Sequence, residues 1–242
     1  MNLVFLLLLG LSIISGMKSE WGFYGHRKIN RMAVFTLPPG MFGFYKKNIE
    51  YISLHAVDPD KRRYALKDEF SRHYIDIDHW DSWPFDQVPR QLDKACMKYG
   101  ELYFYSKSDT IKCNLNQELL FQFYKNNIYP YRYNSRVELH KDSVRNYLEE
   151  TVLDSSSTRV IFENRLVQYG VLPYFLEDFH KRLEWAFLSG DKKAILRISA
   201  DLGHYLADAH VPLHTTLNYN GQLTNQLGIH AFWESRLPEL FS

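Results

Sequence analysis

Most of the chemistry-bearing side chains of this 242-residue chain fall near its end, in His204-Tyr-Leu-Ala-Asp208, Pro212-Leu213-His214 and Gly228-Ile229-His230-Ala-Phe-Trp-Glu234. On an α-helix, residues four apart share a face with Cβ atoms about 6 Å apart, so His204 with Asp208, and His230 with Glu234, can each converge on one point. Imidazole nitrogen with carboxylate oxygen is a donor set that zinc takes at about 2.0–2.2 Å, and three protein ligands leave a position for water, the catalytic arrangement. His214 follows a Pro-Leu step that would end the first helix. One His-x3-Asp pair arises on surface helices by chance; two such pairs bracketing a histidine point to a metal site. Further candidates lie upstream: His26 in Trp21-Gly-Phe-Tyr-Gly-His26, Asp58 in His55-Ala-Val-Asp58-Pro-Asp60, and His73 in Arg72-His73-Tyr74-Ile75-Asp76. Singly, each has a plainer reading, as a hydrogen-bonded core histidine or, for Asp58 ahead of Pro59, a turn.

Taken together in order, these residues resemble the zinc-dependent phospholipases C and the related single-strand-specific nucleases and 3'-nucleotidases. The order in that family is Trp, His, Asp, His, then His-x3-Asp with Pro-Leu/Met-His following, then His-x3-Glu/Asp, and every position is filled between Trp21 and Glu234. The resemblance implies up to three zinc ions. Asp58, His73, His204 and Asp208 would hold the first, and His214, His230 and Glu234 the second. His26, Asp208 and the amine and carbonyl of Trp21 would hold the third, with Asp208 bridging two metals. The Trp21 amine is available only if processing exposes it.

Clustered zinc ions bring the pKa of a bound water toward neutrality and clamp phosphoryl oxygens. The expected reaction is therefore in-line attack of zinc-bound hydroxide on a phosphodiester, with Asp58 orienting or deprotonating the water, or serving as a plain ligand. Tyr74 is expected at the substrate pocket, against a base or a choline-like cation, or packed internally. Asp76 is expected beside substrate or hydrogen-bonded to a ligand histidine. Lys61, Arg62 and Arg63 read as a solvated basic turn. The 15 residues between His214 and His230, closing on Glu234, are more like the phospholipase branch than the nucleases. The reading is a phospholipase C-like phosphodiesterase acting on a phospholipid headgroup. A nuclease or 3'-nucleotidase acting on a nucleotide phosphoester is the enzymatic alternative, and a non-catalytic zinc-binding envelope protein the alternative of another class.

The net charge of +1 shows neither a nucleic-acid footprint nor a trap for acidic substrates. The 17 Tyr, 16 Phe and 5 Trp suit an aromatic core, with transient membrane-surface contact as the other use; no stable protein partner is implied. Leu3–Ile14 is an apolar run of signal-peptide length with no Lys or Arg ahead of it, so residues 1–20 read as a leader and the product as secreted or periplasmic. Cleavage just before Trp21 would put Glu20 at the minus-one position; Ser15 and Gly16 suit a cleavage site better. Cys96 and Cys113 could close an 18-residue disulfide loop in an oxidising compartment.

The expected architecture is all-α, a single-domain helical bundle over residues 21–242 with the metal cluster in a cleft. Helices are expected at 27–36, 41–53, 115–127, 136–152, 171–189 and 191–210, the last capped by Asp191. The chain ends eight residues after Glu234, where family members usually continue, so a domain truncated at its C-terminus is expected.

Overall fold

A computed structural model describes residues 21–106, 110–147 and 157–241. The expected leader, residues 1–20, lies outside them, as do 148–152 of the expected fourth helix. The chain forms two compact units: one from the described residues through Pro59 with Lys181–Ala207 and Asn218 onward, the other from Asp60–His180 and Asp208–Leu217.

The first unit is helical. Helices Trp21–Val34, Pro39–Lys47, Ile49–Leu54 and Lys192–Asp208 surround a core of Val34, Tyr45, Ile52, Ala186, Ile195 and Ala200, against which Phe44 and Leu183 pack. The Lys192–Asp208 helix starts where the sequence says it should. Gly190 turns the chain at φ +68°, and Asp191 Oδ1 accepts from the backbone N–H groups of Lys193 and Ala194 at 3.0 Å each, satisfying donors that a helix start leaves open. Asn30, buried in the first helix, donates to the Ala200 carbonyl at 2.9 Å. Gly203 makes that approach sterically feasible, since a Cβ there would lie 2.1 Å from Asn30 Oδ1.

Two expected boundaries move. The first described helix runs Trp21–Val34 and so already includes Gly25, which puts His26 on the helix itself. The expected 41–53 helix breaks at Asn48, whose side chain donates back to the Phe44 carbonyl at 2.8 Å and so ends one helix as the next begins.

The second unit corrects the all-α expectation: the described chain is mostly helical but carries a four-stranded antiparallel sheet. Its strands are β1 (Gly100–Ser106), β2 (Thr110–Cys113), β3 (Arg136–Leu139) and β4 (Ser157–Asn164), in the order β2-β1-β4-β3. Phe104 faces Val160 and Val137 faces Phe162 across the ladder. In β1, buried Leu102 and Phe104 alternate with Tyr103 and Tyr105; apolar rings on both faces blur the period of two in the sequence. Val160, Ile161 and Phe162 of central β4 are all buried and give no alternation at all. The expected helix at 136–152 instead opens as β3, followed by a helical turn at Lys141–Val144.

Both cysteines are free thiols, Cys96 buried in the Leu92–Tyr99 helix and Cys113 half-buried on β2, so the expected bridge is absent. Burial pushes the Cys96 thiol up to about 11. Among the described residues no helix is long and apolar enough to cross a membrane.

Candidate metal centre

In the second unit the backbone of residues 71–76 is stitched on two sides. Val171 N–H donates to Ser71 O at 2.8 Å, Leu172 N–H to Tyr74 O at 3.1 Å and Asp76 N–H to Tyr169 O at 2.7 Å. On the other side Ile75 N–H donates to His214 O at 2.8 Å. Gly170 permits this, because at φ +89° a Cβ would stand 2.2 Å from Tyr74 O. His73 is thereby held beside the Pro212–Thr215 turn that carries His214.

Asp208 and His73 are almost fully buried and face each other, His73 Nδ1 lying 2.8 Å from Asp208 Oδ2. Asp208 Oδ1 lies 3.8 Å from His214 Nδ1, and Asp60 Oδ1 lies 3.9 Å from His73 Nδ1. Two carboxylates and two imidazoles thus converge inside one unit, each under 9% exposed. Burying carboxylates is costly unless cations or donors compensate them.

In the first unit, His26 and His204 stack with ring centroids 3.8 Å apart. His204 stands one helical turn before Asp208 on the Lys192–Asp208 helix, the spacing expected from sequence. The i,i+4 pair His230 and Glu234 also forms, Nε2 to Oε2 at 2.9 Å. Within the second unit, buried His73, His214, Asp60 and Asp208 form a cluster that could hold a metal ion.

Three histidines share one feature. His204 Nδ1 meets Ala56 O at 2.8 Å, His214 Nδ1 meets His73 O at 2.6 Å, and His230 Nδ1 meets Tyr219 O at 3.1 Å. A carbonyl only accepts, so each Nδ1 carries a proton and Nε2 is the ring nitrogen turned away from that carbonyl; in His230 it meets Glu234 Oε2. This is the outer hydrogen bond that fixes the tautomer and ring direction of a metal-ligating histidine.

Asp58 and Asp60 have separate partners. Asp58 bonds His55 Nδ1 at 2.5 Å, and His55 in turn lies against the Tyr51 ring. It is Asp60 that stands beside His73, with Arg63 Nη2 on its Oδ1 at 2.7 Å. The signal was present: an aspartate just before a proline opens a helix, and Asp58-Pro59 starts the Asp58–Arg62 helix, leaving Asp60 as the inward carboxylate. Arg62 and Arg72 both pair with Glu69, at 3.2 and 2.5 Å, so the expected solvated basic turn includes a clamp on a carboxylate that is 0% exposed. Tyr74 donates its hydroxyl to Gln168 O at 3.0 Å and meets Phe70 edge-on, an internal anchorage. Burial first, and Asp78 second, raise the Asp76 carboxyl to about 6. Trp21 opens the first helix, and its side chain lies outside the description.

Comparison with protein-family models, with curated proteins and with solved structures finds no match to this chain.

Proposed function

We propose that this chain is a zinc-dependent phosphoester hydrolase of the phospholipase C type, with a phosphodiester of a phospholipid headgroup as substrate. The observation that carries the reading is the shared orientation of His204, His214 and His230, each with Nδ1–H given to a backbone carbonyl. A hydrogen-bonded core histidine needs one partner; three that present the same nitrogen, near buried carboxylates, are organised as ligands. The donors present are nitrogen and carboxylate oxygen without thiolate near them, a set that fits zinc.

Zinc bound there would supply a water ionised near neutral pH and positive charge for the phosphoryl oxygens. Up to three ions are expected: His73, Asp208 and His214 of the second unit would hold one, and the first unit offers His26 with His204, and the His230–Glu234 pair, to others. Asp60, beside His73, would join Asp58 as a candidate to orient the attacking water. Asp208 faces His73, its expected co-ligand on the first ion.

Hydrolysis of phosphatidylcholine, single-stranded DNA and a 3'-nucleotide, measured in zinc, tests the reading. Release of diacylglycerol with little action on the nucleic substrates is expected. Activity on the nucleic substrates alone would transfer the chain to the nuclease branch, and zinc binding without hydrolysis of any of the three would make it a non-catalytic metal protein. His204→Ala and Asp208→Asn are expected to lower hydrolysis by about 10²- to 10³-fold, the range for losing one preorganised electrostatic group, with the far-ultraviolet dichroism retained.

A further inference from the structure

The segment leading to His230 presents two leucines to water. Leu223 is 72% and Leu227 75% exposed, on a loop braced by hydrogen bonds of its own. Asn218 Oδ1 accepts from Leu223 N–H at 2.7 Å, and Gly221 O accepts from Gln226 N–H at 2.8 Å. Asn220 Oδ1 accepts from Gly228 N–H at 3.1 Å. Gly221 closes the turn at φ +72°, where a Cβ would stand 2.4 Å from Gln226 O. The loop is therefore preorganised, and the leucines are presented rather than merely left over.

Its chemistry selects the partner. No residue from 215 to 233 is Asp, Glu, Lys or Arg, and Tyr219, Phe232 and Trp233 are all about half exposed along the same stretch. A nucleic-acid surface needs cations for its phosphates, and this stretch offers none. A peptide adding as a strand needs an extended edge, whereas this loop is a succession of turns. A lipid interface asks for the combination present: no charged side chain, aliphatic tips and flanking Tyr and Trp rings.

We infer that the Asn218–Gly228 loop, with Trp233, is a lipid-docking surface that inserts Leu223 and Leu227 into the headgroup–acyl boundary of a zwitterionic bilayer. The Tyr219 carbonyl that begins this loop fixes the ring of His230, so docking and the candidate metal ligand are joined by one hydrogen bond. The inference deepens the phospholipase reading and rests on it for the substrate, though docking is measurable without turnover.

Co-sedimentation of the full chain with phosphatidylcholine vesicles tests it, beside the Leu223→Ser/Leu227→Ser double variant and sedimentation equilibrium without lipid. Binding by the natural chain, and about tenfold or greater loss of vesicle partition in the variant at unchanged dichroism, is expected. Hydrolysis of vesicle lipid should then fall about tenfold more than hydrolysis of a short-chain phosphatidylcholine kept monomeric. Failure of the natural chain to bind vesicles, or equal binding by both proteins, overturns the docking surface. Leucine-dependent self-association without vesicle binding also overturns it and makes a second copy the occupant. Vesicle binding without hydrolysis of either lipid leaves docking standing and removes the phospholipase reading alone.

Discussion

At the scale of single residues, the carboxylates around His73 are the sharpest test of the site. Asp58 is engaged by His55, whereas Asp60 stands 3.9 Å from His73 with Arg63 against it. Asp60→Asn should weaken zinc binding by about tenfold or more, and Asp58→Asn much less, in titrations followed by native mass spectrometry. Equal effects would return Asp58 to the ligand set. Asp76 gives a test in pH. Its carboxyl is raised from 3.8 to about 6, so the folded chain binds a proton more tightly there than the unfolded chain does. The contribution of Asp76 to stability is therefore complete below pH 3.8 and lost as pH rises through about 6. Above that, ionised Asp76 costs stability. Asp76→Asn should gain about 1–2 kcal/mol at pH 8, discounted for partial solvent access, and nothing at pH 3.5, by urea unfolding.

At the scale of elements, the Lys192–Asp208 helix matters most, because it carries His204 and Asp208. Its start depends on Asp191, whose Oδ1 accepts two backbone N–H groups. Asp191→Ala should cost about 1 kcal/mol in chemical denaturation, the usual worth of such a cap. Farther along, Gly203→Ala would drive a methyl into Asn30 Oδ1 and break its bond to Ala200 O, which should shift His204 as well as destabilise the fold. The sheet is the element that sequence patterning hid. Apolar rings on both faces of β1 and continuous burial of Val160, Ile161 and Phe162 erase the alternation that announces a strand. Cys96 and Cys113 show the same dependence on folding. With both thiols free, dithiothreitol should leave Tm unchanged, and iodoacetamide should leave Cys96, buried and pushed up to about 11, unmodified until the chain unfolds.

At the scale of the whole molecule, the candidate ligands come from stretches as distant in sequence as His26 and Glu234, so metal binding and folding should be linked. Occupancy at about 1,000 times Kd contributes about 4 kcal/mol, which for a chain of this length corresponds to roughly 10 °C in Tm. Chelation should lower Tm by about that much in a thermal melt, and zinc should restore it. What the sequence determined by itself was local: the helix carrying His204 and Asp208, its Asp191 cap, and the His230–Glu234 pair. A turn of helix brings residues four apart together whatever surrounds them. What only the tertiary structure decided was non-local: Asp60 beside His73, the carbonyls of Ala56, His73 and Tyr219 that anchor three histidine rings, and the pairing of β1 with β4. Those depend on which distant backbone a side chain meets, and no residue spacing carries that information.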